Sequence, residues 1–131
     1  MANEAILVVD DHPENIRLIE LLLRSEGYRL TTAASAEEAW ERVRSSPPRL
    51  ILMDIQLPGK DGLQLTREIK ADPATRDIIV LAFTSYAMRG DREKALAAGC
   101  DGYITKPIDT RTLPGVIAAH LSGNLEKGKN K

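Results

Sequence analysis

Short apolar runs alternate along the chain with segments whose apolar residues recur every three or four positions. The runs fall at 6–9, 28–33, 49–53, 78–83 and 102–104, of which 28–33 is the weakest. Several lack the in–out alternation of a half-exposed strand, as strands buried on both faces do. Between them, the segment 14–26 carries Ile16, Ile19 and Leu23 on one stripe, with Gly27 as its stop signal. In SAEEAWERVRSS, Ala36, Ala39, Trp40 and Val43 share a face, and Ser35 with Glu38 forms a capping box. Asp61 is placed to cap a helix that buries Leu65 and Ile69, and Asp91 to cap or begin one that ends at Gly99. A last helix holds Pro114 in its first turn, where a proline breaks no helical hydrogen bond, and runs to Leu121. Strand and helix thus alternate five times. The pattern predicts a doubly wound α/β domain, a parallel five-stranded sheet with helices on both faces.

Length and charge narrow the reading. The chain has 131 residues, enough for one domain and one sheet-centred core. We expect that domain over 1–121, with a polar tail, SGNLEKGKNK, over 122–131. Lysine and arginine total 18 against 19 aspartates and glutamates, a net charge of -1. No overall field recruits nucleic acid or an acidic membrane, so charge-driven chemistry has to be local. Neither a signal peptide nor a run of roughly 18 apolar residues is present, and the expectation is a soluble, cytoplasmic protein without membrane insertion. The single cysteine, Cys100, reads as a small buried apolar group.

In a parallel sheet the residues that follow each strand share one rim, where such folds bind ligands. That rim collects Asp10 and Asp11 after the first run, Asp54 after the third, Thr84 after the fourth and Lys106 after the fifth. Taken singly they are ordinary: Asp10 and Asp11 a helix N-cap, Asp54 a turn residue before Pro58–Gly59, Thr84 a strand end, Lys106 a surface lysine. Taken together they bring three acids and one base to one place. Three carboxylates that close repel one another unless a cation joins them. Few, hard oxygen ligands suit magnesium better than a calcium cage, and the rim lacks the cysteines or paired histidines of a zinc site. Asp54, nearest the sheet centre, is then a carboxylate nucleophile toward phosphorus. Lys106 offers a positive charge and Thr84 a hydroxyl to phosphoryl oxygens.

The motifs VVDD, LILMDIQLPGKDG, AFTSYAM and AGCDGYITKPI make the chain resemble the receiver domain of bacterial two-component response regulators, of the stand-alone type, across most of its length. The resemblance implies a flavodoxin-like (βα)5 fold with strand order 2-1-3-4-5. It implies that Asp54 accepts a phosphoryl group from the phosphohistidine of a sensor histidine kinase or a histidine phosphotransfer protein. It further implies that Asp10, Asp11, Asp54 and the main-chain carbonyl of Gln56 hold Mg2+, that Lys106 and Thr84 bind the phosphate, and that Lys106–Pro107 is cis. Tyr103 matches the switch aromatic that turns inward with Thr84; by itself it reads as an edge aromatic packing on the last helix. The implied output is a surface of the fourth helix, fifth strand and fifth helix that binds an unidentified downstream protein, with no direct contact to nucleic acid.

Some positions depart from the pattern or leave it open. Ser85 stands where the family has alanine, and Gln56 and Tyr86 flank the expected pocket and tune the lifetime of the phosphoryl group. His12 reads as a solvent-exposed loop histidine, with the outer edge of the ion site as the alternative, and Trp40 as core or helix-edge packing. Two rival functions share the same ingredients: a small aspartyl-phosphate phosphatase and a phosphorylation-independent adaptor. The first lacks a cap domain and an acid two residues after Asp54, where Gln56 stands. A flavin module would need a phosphate-cradling loop after the first strand.

Overall fold

In a computed structural model, which describes residues 4–55, 62–84, 91–105 and 110–122, with Thr84 and Asp91 by backbone alone, the alternation is realised element by element. The order is β1 (Ala5–Val9), α1 (Pro13–Arg24), β2 (Arg29–Ala33), α2 (Ala36–Ser45), β3 (Leu50–Asp54), α3 (Gly62–Ala71), β4 (Ile79–Thr84), α4 (Asp91–Ala97), β5 (Gly102–Thr105) and α5 (Leu113–Ser122). The strands form one sheet in the order β2-β1-β3-β4-β5, with every neighbouring pair parallel. This is the flavodoxin-like order that the resemblance implied.

Alternate residues of each strand feed two separate cores. On one face Leu7, Val9, Ile51, Met53, Val80 and Ala82 pack against α2, α3 and α4. On the other, Ile6, Val8, Leu50, Leu52, Leu81 and Phe83 pack against α1 and α5. All five residues of β3 are buried, which is why its sequence reads LILMD without alternation. The edge strand β2 behaves differently: Arg29 and Thr31 are exposed while Leu30 and Ala33 are buried, so its apolar run is diluted. β2, β3 and β4 start one residue later than their apolar runs. The difference is slight, because the Arg49 N–H donates to Ala5 O at 2.8 Å and Arg49 O accepts from Ile79 N–H at 3.1 Å.

The helix signals act much as the sequence suggests. Ser35 caps α2 by accepting the Glu38 N–H at 3.1 Å, and the Glu38 carboxylate reaches back to the Ala34 N–H at 2.9 Å, one residue before the usual partner. α1 and α4 both end on a left-handed glycine, Gly27 (φ 92) and Gly99 (φ 108). At each, the following N–H bonds back five residues, Tyr28 to Leu23 O and Cys100 to Ala95 O, and the chain turns directly into the next strand. Pro114 is the second residue of α5, within the first turn. Ser122, expected in the tail, instead closes α5, its hydroxyl donating to Ala119 O at 3.0 Å. The rest of the tail lies outside the described residues, as does Asp61.

Candidate ion and phosphoacceptor site

The register of the two central strands builds the site. Val9 pairs with Met53, so the residues that follow them, Asp10 and Asp54, emerge side by side at the strand-end rim. Asp10 is the first residue past β1; its N–H donates to Ala33 O at 3.0 Å and its side chain is fully buried. Asp54 is the last residue of β3 and is 1% exposed. Asp11 is exposed at the mouth. One donor atom from each of Asp10, Asp11, His12 and Asp54 lies within 4.8 Å of all the others. The three acids anticipated from sequence do converge.

His12 joins them, and its placement corrects the expectation of a loop residue facing only solvent. Its side chain is 55% exposed, yet Nδ1 stands 3.0 Å from Asp10 Oδ1 and 3.2 Å from Asp11 Oδ1. The His12 N–H also donates to Asp10 Oδ1 at 3.0 Å. The clue in the sequence was position: a residue adjacent to two rim acids is carried to the same mouth.

Gly62, the first residue of α3, is a second contributor that the sequence reading passed over. A Cβ there would lie 2.5 Å from Asp54 O and 2.8 Å from Ile55 Cα, so α3 approaches the end of β3 more closely than any side chain allows. The buried Thr66 hydroxyl donates to Gly62 O at 2.8 Å and holds this first turn in place.

The remaining candidates are placed in part. Thr84 ends β4 one residue beyond Phe83, the partner of Asp54, and pairs with Thr105. Its backbone therefore reaches the correct rim. Lys106, the Lys106–Pro107 bond, Gln56, Ser85 and Tyr86 lie outside the described residues. Tyr103, opposite Ala82 on β5, is half-buried against the core of α2, α3 and α4, not against α5 as an edge aromatic would be. The alternation of β5 decides this, since Ile104 takes the α5 side. Trp40 packs at the edge of the same core, its Nε1–H donating to Glu68 Oε1 at 2.9 Å and the Arg44 guanidinium 4.7 Å above its ring. Cys100 is buried, as expected.

Two buried carboxylates side by side, with a third at the mouth, make a donor set that fits a hard divalent ion. Like charges packed out of water are costly unless a cation is shared between them, and carboxylate oxygens are the ligands that magnesium accepts. An acidic pocket at the carboxyl end of a doubly wound parallel sheet defines a class of small α/β domains that bind at this rim.

Comparison with known proteins identifies the family. A model of the response regulator receiver domain matches residues 6–118, and the chain belongs to that family. It is 38% identical over 118 residues to the polar-differentiation response regulator DivK of Brucella ovis, covering 90% of this chain and 96% of that one. Among solved structures, the receiver domain of sensor histidine kinase PA1611 from Pseudomonas aeruginosa PAO1, with a magnesium ion coordinated in its active-site cleft, shares 38% identity. It has a TM-score of 0.84 and covers 92% of this chain and 99% of that one. A CheY-like receiver domain protein from Methanospirillum hungatei JF-1 is 29% identical with a TM-score of 0.86, covering 97% of this chain and 100% of that one. The chain is thus a receiver domain of two-component signalling. Among the described residues, no helix is long and apolar enough to cross a membrane.

Proposed function

We propose that Asp54 accepts a phosphoryl group from the phosphohistidine of a sensor histidine kinase or a histidine phosphotransfer protein in the cytoplasm. The observation that carries this is the position of Asp54: buried, at the end of the central strand, within 4.8 Å of the donor atoms of Asp10, Asp11 and His12. A carboxylate oxygen of Asp54 attacks phosphorus, the bond from phosphorus to the donor imidazole nitrogen breaks, and that nitrogen retains the electron pair and takes a proton. Asp10, Asp11, Asp54 and the Gln56 carbonyl are the proposed ligands of Mg2+. When bound, the ion neutralises carboxylate charge and polarises a phosphoryl oxygen. Gly62 lets α3 begin against the backbone of Asp54.

In this reading Lys106 and Thr84 hold the transferred group. Support comes from register: Thr84 stands one residue past the partner of Asp54, and Lys106 directly follows Thr105, the partner of Thr84. Recruitment of the Thr84 hydroxyl to the phosphoryl group, with movement of Tyr103, biases the α4–β5–α5 surface toward a downstream protein partner. A full switch from 1:99 to 99:1 needs about 5.5 kcal/mol of differential stabilisation, a demand that a few charge-assisted hydrogen bonds go far to meet. The domain acts as a switch that assists its own phosphorylation and dephosphorylation, without turnover of a separate substrate.

Intact-mass measurement after exposure to acetyl phosphate tests the proposal. The natural protein should gain one phosphoryl group in the presence of Mg2+ and none after chelation, and Asp54→Asn should gain none in either case. A gain by Asp54→Asn equal to that of the natural protein would overturn the assignment.

A further inference from the structure

His12 occupies the N-cap of α1, a position where helices favour a short side chain that accepts from the first free N–H groups. It makes no such bond. Its backbone is extended (φ -107, ψ 110), and the ring turns back over the acid pair. Nδ1 forms a hydrogen bond with Asp10 Oδ1 at 3.0 Å, an oxygen that also accepts the His12 N–H at 3.0 Å, so the ring is aimed at the same oxygen that the ion would share.

The distances describe a ligand position. Neighbouring ligands of an octahedral ion with bonds of 2.0–2.1 Å stand about 3 Å apart, and opposite ones about 4.2 Å. His12 Nδ1 lies 3.0 Å from Asp10 Oδ1 and 3.2 Å from Asp11 Oδ1. All four donor atoms fall within 4.8 Å of one another, about 0.6 Å beyond what such an ion spans. With the ring more than half exposed, rotation of the side chain costs little packing.

We propose that His12 is a direct nitrogen ligand of the ion held by the rim acids, and that it tilts the site toward first-row divalent ions relative to Mg2+, toward Co2+ strongly and toward Mn2+ least. This rests on the ion-binding part of the function proposed above. Carboxylate and carbonyl oxygens serve Mg2+ well, whereas an imidazole adds much more to the affinity of the later divalent metals. An ion reached through His12 also enters from the open mouth, opposite the buried Asp10 and Asp54. His12 therefore sets which metal the site takes, while the acids set whether it takes one.

Two measurements on the full chain test this. Pulsed electron paramagnetic resonance of the Mn2+-loaded protein should show nitrogen-14 modulation from a bound imidazole, absent in both His12→Ala and His12→Gln. Calorimetric titration with Co2+ and with Mg2+ should show the preference for Co2+ falling by about tenfold in either variant, while Mg2+ affinity changes less than threefold. Circular dichroism confirms that the variants fold, and His12→Gln, which keeps the bulk of the side chain, guards against a packing effect. If Mn2+ binds and Asp54→Ala weakens it, but nitrogen modulation is missing from the natural protein, the role of His12 is overturned and the acid site stands. If neither ion binds at millimolar concentration, both fall.

Discussion

The two rims of the sheet each carry aspartates, and they handle them in opposite ways. Where the strands begin, Asp101 meets a single cation: its Oδ2 accepts from Lys70 Nζ at 3.0 Å and from the Val80 N–H at 2.9 Å. The same ammonium donates to Ile78 O at 2.6 Å and to Arg76 O at 3.2 Å, so one lysine from α3 ties down the start of β4 and the approach to β5. Where the strands end, three carboxylates share a mouth with one imidazole. The first arrangement closes its charge within the protein and serves the fold. The second concentrates like charge at the centre of the sheet, where folding alone has no use for it. Both corners contain acids with short contacts, so proximity does not mark the functional one; the balance of charge does.

Removing the cation at the closed corner should have the largest effect on stability at neutral pH. Lys70→Ala removes one of the two donors to the Asp101 carboxylate and the ammonium that serves two carbonyls, and an acceptor stripped of its partner costs about 1–3 kcal/mol. Lys70 is 20% and Asp101 35% exposed, so water recovers part of this and about 2 kcal/mol is expected. Urea denaturation should show the midpoint falling with an unchanged slope. Phosphorylation of Asp54 by acetyl phosphate, measured well below the midpoint, should be retained. A loss of labelling comparable to that of Asp54→Asn would break the division between a structural and a chemical rim.

Cys100, next to Asp101, extends the closed corner into a pH dependence. Burial, reinforced by the neighbouring Asp101 charge, pushes its thiol up from 9.0 to about 11, against the opposing influence of the Thr66 hydrogen bond and Lys70. The unfolded chain releases this proton near pH 9, the folded one only near pH 11. The contribution to stability is thus fully present below pH 9 and is lost as pH rises through 11, at most about 3 kcal/mol in all. Cys100→Ala should lose stability less steeply over that window than the natural protein, as seen by denaturation at a series of pH values. Parallel curves for the two would show that the thiol is not protected by its burial.

These two corners also show what could be read beforehand. The fold was legible because β3 and residues 80–83 of β4 are buried between helices on both faces, and such burial writes itself as an unbroken apolar run. The rim acids were legible because a parallel sheet sends every strand end to the same side, whatever the loops do. The Lys70–Asp101 contact was not, because it joins the last turn of a helix to a residue 31 positions away, and nothing in the local pattern fixes that reach. Gly62 was missed for a related reason: its value lies in the absence of a side chain where α3 meets the backbone of Asp54, and a glycine beside a helix start reads simply as a turn. For His12 the sequence left a solvent-exposed loop and the outer edge of the ion site both open, because adjacency to two rim acids does not fix where a ring turns. The face on which Tyr103 packs was not legible either, because a short edge strand leaves its inward and outward positions ambiguous until register is known.

The open corner should respond with the opposite sign and the smaller magnitude. In the absence of divalent ions, Asp54→Asn removes one of three charges whose ligand atoms lie within 4.8 Å, while keeping the shape of the side chain. The repulsion relieved is partly offset by the His12 imidazole beside Asp10 and Asp11 and by the weaker hydrogen bonds of an amide, so a net gain of about 1 kcal/mol is expected. Lys70→Ala destabilises under the same conditions, which makes the pair of variants a direct comparison of the two rims. Magnesium should then reverse the ranking. An ion that binds only the folded state stabilises it by about 2.7 kcal/mol at a hundred times its dissociation constant, and the natural site should gain more of this than one missing an acid. Denaturation of both proteins with and without millimolar Mg2+ therefore separates charge repulsion from packing: a variant that is less stable without the ion, and gains as much from it as the natural protein, would mean that Asp54 is held as a structural acid, like Asp101.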